Sequence, residues 1–189
     1  MTGFGARFAA IVALGLSGAG ALGANARAQD IPVIDAATER ELRELRELYR
    51  HLIAAENAHD IAEVRRMVWR SPTALFVAKT KTPAEGGWAG FWGADTVVSH
   101  INDLFQSGVF VMAPDFEREK VVLLSPTVAE TYAPLKISVA YAGQTGTPKP
   151  FLMIVDWVRV GSSWKMATDI AVPIPPASAA PAAPSESTP

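Results

Sequence analysis

The chain has 189 residues, a formal net charge of −2, 19% charged residues and no cysteine. A chain of this length is expected to form one domain. Its charges are mixed along the sequence, so nothing points to a protein that binds nucleic acid or an anionic membrane surface. Without cysteine the protein has no disulfide, no thiol nucleophile and no thiolate metal site.

The two ends of the chain are predicted to lie outside the folded domain. Residues 1–28 combine Arg7, an apolar stretch from Phe8 to Leu22 and the cleavage pattern Ala26-Arg27-Ala28, which is typical of a cleaved export signal. An uncleaved anchor is the alternative. Residues 173–189 are rich in proline and alanine and are predicted to be a disordered tail. The domain is therefore expected at 29–172, periplasmic or secreted, and free of the membrane after cleavage.

Three helices are predicted in the first half of the domain. Apolar residues recur at helical spacing over about 37–58. Asp60 can cap a second, short helix over 61–69, which Ser71-Pro72 ends. A third helix is expected over about 95–106. Its predicted buried stripe consists of Val97, Val98, Ile101, Leu104 and Phe105.

The remaining pattern predicts mostly β-structure. A strand is expected at 73–79, and four more follow near 117–124, 127–141, 150–160 and 164–172. Residues 82–87 are predicted to form a loop that leads into the aromatic cluster of Trp88, Phe91 and Trp92. Helices that precede a run of antiparallel strands indicate an α+β fold, with the sheet curled around the helices.

The whole domain resembles the SnoaL-like branch of the nuclear transport factor 2-like superfamily. The resemblance rests on the order and spacing of four segments, Leu48–Asp60, the helix–strand unit through Phe76, Gly93–Val98 and Asp156–Asp169. It implies a cone-shaped half-barrel, in which three N-terminal helices pack in a strongly curved antiparallel sheet. The open end of the cone would hold an apolar pocket, often in a homodimer. Members include isomerases, cyclases, dehydratases, epoxide hydrolases and lyases, and many others only bind, so the resemblance does not give the function.

Asp156 is the first candidate for an acid in that pocket. It is the one carboxylate in the apolar run 151–160, and strand alternation puts it on one face with Leu152, Ile154 and Val158. A carboxylate on an apolar face is costly unless it is paired, protonated or directed at a cavity. By the resemblance it also falls where ketosteroid isomerase keeps a protonated Asp. The alternative is a structural carboxylate paired with Arg or Lys or bonded to backbone.

The transfer from that isomerase is partial. The position of its partner tyrosine reads Leu52, and its proton-abstracting Asp has no counterpart in the strand 74–78. Steroid-type isomerisation by the same mechanism is therefore not expected.

Asp169 and Glu56 are two further candidates for catalysis. Asp169 alternates with Ala167 and Ala171, at a place where relatives frequently carry a pocket histidine, and the alternative is a charge at the rim. Glu56 continues the helical stripe of Leu52 by four residues and is expected to point inward. If two of the three carboxyl groups come close, one would keep its proton near neutral pH, and the pair could act as acid and base.

Aromatic side chains are the predicted ligand contacts. Trp88 and Trp92 flank a glycine-rich loop and could wall the mouth of the pocket. Tyr49 and Tyr132 could donate a hydrogen bond to a ligand oxygen, although core packing is the simpler interpretation. Phe76 completes this set.

The sequence predicts neither a cofactor nor a metal site, because the three histidines lie in no metal-binding motif. Lys79 and Lys81 are near the predicted mouth, where lysines are usually solvated but could meet an anionic group. Two functions stay open. One is a cofactor-independent acid–base enzyme of the lyase, dehydratase or isomerase type that acts on a small hydrophobic or aromatic molecule. The other is a non-catalytic module that binds a ligand or a protein.

Overall fold

Three helices pack against the inner face of a seven-stranded sheet in the part of the chain that the computed structural model describes, residues 35–81 and 85–175. These residues belong to one unit, Ile34–Pro189. The predicted export signal lies outside the described residues, as does the predicted tail from residue 176 onward. The α+β architecture predicted from the sequence is confirmed.

The helices are α1 (Ala36–Asn57), α2 (Ile61–Met67) and α3 (Ala94–Phe105). An aspartate begins each of the first two. Asp35 Oδ1 accepts a hydrogen bond from Thr38 N at 2.7 Å, and Asp60 Oδ1 accepts one from Glu63 N at 2.9 Å. The three predicted helices are confirmed to within about two residues at most of their ends. No helix in the described part of the chain is long and apolar enough to span a membrane.

The strands are β1 (Leu75–Lys79), β2 (Trp88–Trp92), β3 (Phe110–Pro114), β4 (Lys120–Ser125), β5 (Val128–Val139), β6 (Lys149–Val160) and β7 (Ser163–Pro173). Their order is β2-β1-β7-β6-β5, and β3 and β4 pair with different parts of β5. All pairs are antiparallel except β1 with β7. The described sheet is therefore mixed rather than wholly antiparallel as predicted, and it curves without closing into a barrel.

Two short strands, β2 and β3, were not predicted from the sequence, and each has five residues. The stretch of β2 was expected to be a loop and an aromatic cluster. Gly90 lies in its middle and the strand has no fully buried face, which removes the alternation that marks a strand. In β3 only Phe110 and Met112 are buried, and the strand ends at Pro114, whose nitrogen cannot donate to the ladder.

The inner face of the sheet follows from the alternation along its long strands. Phe151, Met153, Val155 and Trp157 of β6 are buried, and the register with β7 shifts between Asp156 and Trp157, where β7 has one extra residue, Ala167. Trp157 is fully buried, and its Nε1 donates to Thr131 Oγ1 at 2.9 Å. Large side chains thus fill this end of the sheet.

Asn57 ties the end of α1 to β3. Its Nδ2 donates to Met112 O at 2.8 Å, and its Oδ1 accepts from Met112 N at 2.7 Å. The side-chain amide thereby satisfies both backbone groups of one residue of β3. Because Glu56 precedes Asn57 in the chain, this pair of hydrogen bonds also holds the last turn of α1, which carries Glu56, against β3.

We expect Asn57→Ala to lower the free energy of unfolding by about 1–2 kcal/mol, since it removes two partly buried hydrogen bonds. Urea unfolding of the purified protein measures the change. Asn102→Ala is the matched control, because Asn102 lies in α3 and its side chain makes no hydrogen bond with the described residues. That variant should stay within about 0.5 kcal/mol of the wild type. Equal losses in the two variants would contradict the role given to Asn57.

Candidate functional site

An apolar cavity lies between the helices and the inner face of the sheet. Its polar lining residues are Glu56 from α1, Asp169 from β7, Lys79 from β1 and Gln144 from the turn between β5 and β6. The cavity has a volume of about 40 Å³, whereas one water needs roughly 10–15 Å³. The interior therefore admits a small group.

The cavity continues outward into a groove of about 370 Å³. Lys79, Trp88, Gln144 and Phe151 line both the cavity and the groove. Glu56 and Asp169 line the cavity alone. A molecule that enters along the groove would meet these two carboxyl groups at the inner end.

Asp169 lies in the cavity, on the strand face that its alternation with Ala167 and Ala171 predicted. The strand register places it beside Val155 of β6 and Phe76 of β1. It is 1% exposed, and neither carboxyl oxygen has a hydrogen-bond partner among the described residues. Burial raises the pKa of Asp169 to about 7. This carboxyl group therefore keeps its proton to a much higher pH than an ordinary aspartate.

Glu56 reaches the cavity from the last turn of α1, on the buried stripe that the sequence predicted. It is 2% exposed, and its Oε2 has no hydrogen-bond partner among the described residues. Burial, and after it the charge of Asp169, raises the pKa of Glu56 well above its ordinary value. The negative end of the helix dipole acts in the same direction. Glu56 therefore keeps its proton to a higher pH than an ordinary glutamate.

Tyr49 is buried near the two carboxyl groups but does not line the cavity, contrary to the prediction that it contacts a ligand. It is fully buried, and its hydroxyl has no hydrogen-bond partner among the described residues. Burial raises its pKa, and the charges of Asp169, Glu56 and Glu119 raise it further. Tyr49 is thus exposed to the charges of Asp169 and Glu56 although it does not line the cavity.

Asp156 does not reach the cavity, so its predicted place in the pocket is wrong. It does share a face with Ile154, but that face is the outer one, because Val155 and Trp157 point inward. Its cross-strand neighbours are Glu130 and Thr168. Both faces of β6 are apolar, so alternation groups the side chains correctly without showing which group faces the core.

Of the four other aromatic residues predicted to contact a ligand, two line the cavity and two do not. Phe76 and Trp88 line the cavity. Trp92, the last residue of β2, is 61% exposed. Tyr132 lies half-buried on the outer face of β5, because Thr131 and its alternate neighbours face inward. Trp92 and Tyr132 are therefore not positioned to contact a ligand in this cavity.

Sequence reasoning missed several residues that line the cavity. Phe110 and Met112 come from β3, which was not predicted, and Ile137 comes from the inner face of β5. Gln144 lies in a turn, and its Oε1 is buried without a hydrogen-bond partner among the described residues. An isolated glutamine in a turn carries no sequence signal that would mark it as part of a site.

All three histidines make structural contacts, and His51 Nε2 forms a hydrogen bond with Glu63 Oε1 at 2.8 Å. His100 Nε2 donates to Lys79 O at 2.8 Å, and its ring stacks on Phe91. His59 Nε2 donates to Phe110 O at 3.1 Å. Burial lowers the pKa of His100. Within the described ranges, no group of three or more potential metal-ligating side chains is placed to hold a metal ion.

Comparisons with known proteins identify the fold. No protein-family model matches the chain, and no curated protein matches it. Among solved structures, an uncharacterized protein with a cystatin-like fold from Caulobacter vibrioides is similar, with a TM-score of 0.60 and 13% identity over 72% of this chain and 92% of that one. A nuclear transport factor 2-like superfamily protein from Salmonella enterica has a TM-score of 0.60 and 9% identity over 74% and 95% of the two chains.

A candidate dehydratase of the nuclear transport factor 2-like family from Streptomyces avermitilis is similar as well. Its TM-score is 0.55, with 12% identity over 74% of this chain and 99% of that one. Identities this low establish a common fold and leave the activity open. The chain described here has the cystatin-like cone fold of nuclear transport factor 2-like proteins.

Proposed function

We propose that this protein binds a small, largely apolar molecule in its cavity and transfers protons to and from it through Glu56 and Asp169. The observation that carries the proposal is the convergence of two fully buried carboxyl groups on one apolar cavity. Burying carboxyl groups without hydrogen-bond partners is unfavourable, so an arrangement of two in one cavity calls for a functional reason.

The raised pKa values suit the pair to two different roles. Glu56 keeps its proton near neutral pH and can act as the general acid. Asp169, with a pKa of about 7, is ionised in a large fraction of molecules and can act as the general base. Proton transfer is most effective when the pKa of the catalytic group lies near the working pH.

Elimination, dehydration and isomerisation fit this site best. Each needs one group that removes a proton and one that delivers a proton, in a place from which water is largely excluded. The similar structure from Streptomyces avermitilis is named as a candidate dehydratase, which is compatible with this class. The narrow interior would hold the reacting end of the substrate, and the groove the remainder.

A second function, binding without turnover, is favoured by the small volume of the cavity. The cavity volume of about 40 Å³ leaves little space for a substrate to change its geometry. In that case the two carboxyl groups would orient a ligand by hydrogen bonds. The two functions differ in whether Asp169 accelerates a proton transfer.

We also propose that the domain works in the periplasm or as a secreted protein. Support comes from the sequence of residues 1–28, with Arg7, the apolar stretch and the small residues at 26 and 28. We expect protein recovered from the periplasm or medium to begin at Gln29, as checked by N-terminal sequencing. An intact N terminus in membrane fractions would support the anchor instead.

The stability of the protein should fall as pH rises from about 4 to about 7. The folded state holds the Asp169 proton with a pKa of about 7, whereas the ordinary value is 3.8. Between these values the folded state binds more protons than the unfolded state, so the stability that Asp169 contributes decreases with pH and levels off above 7. The raised pKa of Glu56 lowers stability with pH in the same direction. The change from Asp169 is on the order of 4 kcal/mol. Urea unfolding from pH 4 to pH 8 measures it.

Asp169→Asn should reduce this dependence to the part that comes from Glu56 and make the protein more stable than the wild type at pH 8. Asp156→Asn makes the same chemical change on the outer face of the sheet and should keep the wild-type slope. A wild-type slope in Asp169→Asn would show that Asp169 is not a buried, protonated group.

The base itself can be tested with 5-nitrobenzisoxazole, a small aromatic compound that loses one proton and opens to a coloured cyanophenolate. We expect the wild-type rate to rise with pH with a midpoint near 7, as Asp169 ionises. Asp169→Asn should lower the rate about 100-fold or more. Asp156→Asn should leave the rate unchanged. Equal rates in the two variants would favour binding without turnover.

A further inference from the structure

We infer that the natural ligand of this pocket carries an anionic group, which Lys79 and Lys149 bind in the groove while the apolar body of the ligand enters the cavity. The inference rests on the proposed function and names its substrate class, a small organic anion. Three observations carry it: the positions of the two lysines, the absence of carboxylates from the described part of the groove lining, and the burial of carboxyl groups at the inner end.

The two lysines lie along the path into the cavity. Lys79 lines both the cavity and the groove, so its side chain stands where the two meet. Lys149, the first residue of β6, lines the groove alone. An anionic group in the groove could therefore interact with both ammonium groups, while the atoms attached to it pass inward.

The side chain of Lys79 is held at the junction. Its Nζ donates to Gly86 O at 2.7 Å and lies 5.0 Å from the centre of the Trp88 ring. These contacts leave hydrogen-bonding capacity on the ammonium group, which carries three donors. Neither Lys79 nor Lys149 forms an ion pair with a carboxylate in the described part of the chain.

The groove is locally positive although the whole chain carries a net charge of −2. Among the residues whose side chains the structure describes, its lining contains two lysines and no acidic residue. Lys81 lies close by in sequence, with its Nζ 4.6 Å from the centre of the Tyr141 ring. The negative charge of Asp103 influences the pKa of Tyr141 and of His100, and neither of these residues lines the groove. An anion would therefore be attracted to the mouth of the cavity.

The charges at the two ends fix the orientation of such a ligand. An anionic group beside Asp169 would repel its charged form, whereas the same group near Lys79 is attracted. Trp88 and Phe151, whose ring centres are 6.2 Å apart, offer apolar walls between these ends. The reacting atoms would therefore lie several bonds from the anionic group, at the carboxyl pair.

The experiment compares charged ligands with neutral ligands of the same shape. Benzoate is titrated against benzamide, and 3-phenylpropanoate against 3-phenylpropanamide, by calorimetry at low ionic strength. We expect the better carboxylate to bind at least about fivefold more tightly than its amide, with a preference that shrinks as salt is added. Lys149→Gln and Lys79→Gln should each reduce that preference several-fold.

Lys120→Gln is the matched control, because Lys120 lies on β4 outside the groove lining, and it should keep the wild-type preference. Lys149 is exposed, so its variant tests the inference even if Lys79→Gln disturbs the contact with Gly86. If each amide binds as tightly as its carboxylate, the anionic ligand is overturned while the pocket stands. A carboxylate preference that both groove variants retain also overturns it. If no compound binds, the small-molecule pocket itself is overturned, and the inference falls with it.

Discussion

Desolvation of two carboxyl groups in one apolar cavity is the constraint on which the chemistry of this protein depends. Water would stabilise the charged forms of Glu56 and Asp169, but the cavity excludes most of it and the described residues supply few hydrogen bonds in exchange. Removing an ion from water costs several kcal/mol in real proteins, so protonation becomes the cheaper state. The raised pKa of each group follows from this balance, with mutual repulsion as the smaller effect at Glu56.

The fold holds this unfavourable pair in place from two distant parts of the chain. Asp169 is fixed by its register between β6 and β1, and Glu56 by the last turn of α1, which Asn57 joins to β3. The burial of large side chains at the other end of the sheet, Trp157 among them, supplies stabilisation that offsets the cost of the site. The buried carboxyl pair lowers the stability of the protein, and the surrounding core compensates for it. Such an arrangement is expected at a functional site.

The charge distribution along the entry path complements the interior. Lysines lie at the mouth and proton-bearing carboxyl groups at the inner end, with apolar and aromatic walls between them. In the proposed mechanism the lysines attract the anionic ligand and the carboxyl groups transfer protons. The two kinds of group therefore do not have to lie beside each other. The fold makes the separation possible, because its sheet curves around the cavity without closing into a barrel.

The sequence by itself determined the helices, the long strands, the α+β class and the inward direction of Glu56 and Asp169, because local periodicity and small alternating neighbours encode these features. It did not determine which face of β6 is the inner one, since both faces are apolar, and so Asp156 was placed on the wrong side. The five-residue strands β2 and β3, the lining residue Gln144 and the parallel pairing of β1 with β7 were likewise set by tertiary structure. Periodicity is a property of neighbouring residues, whereas the inside of a curved sheet is defined only when helices and distant strands pack against it.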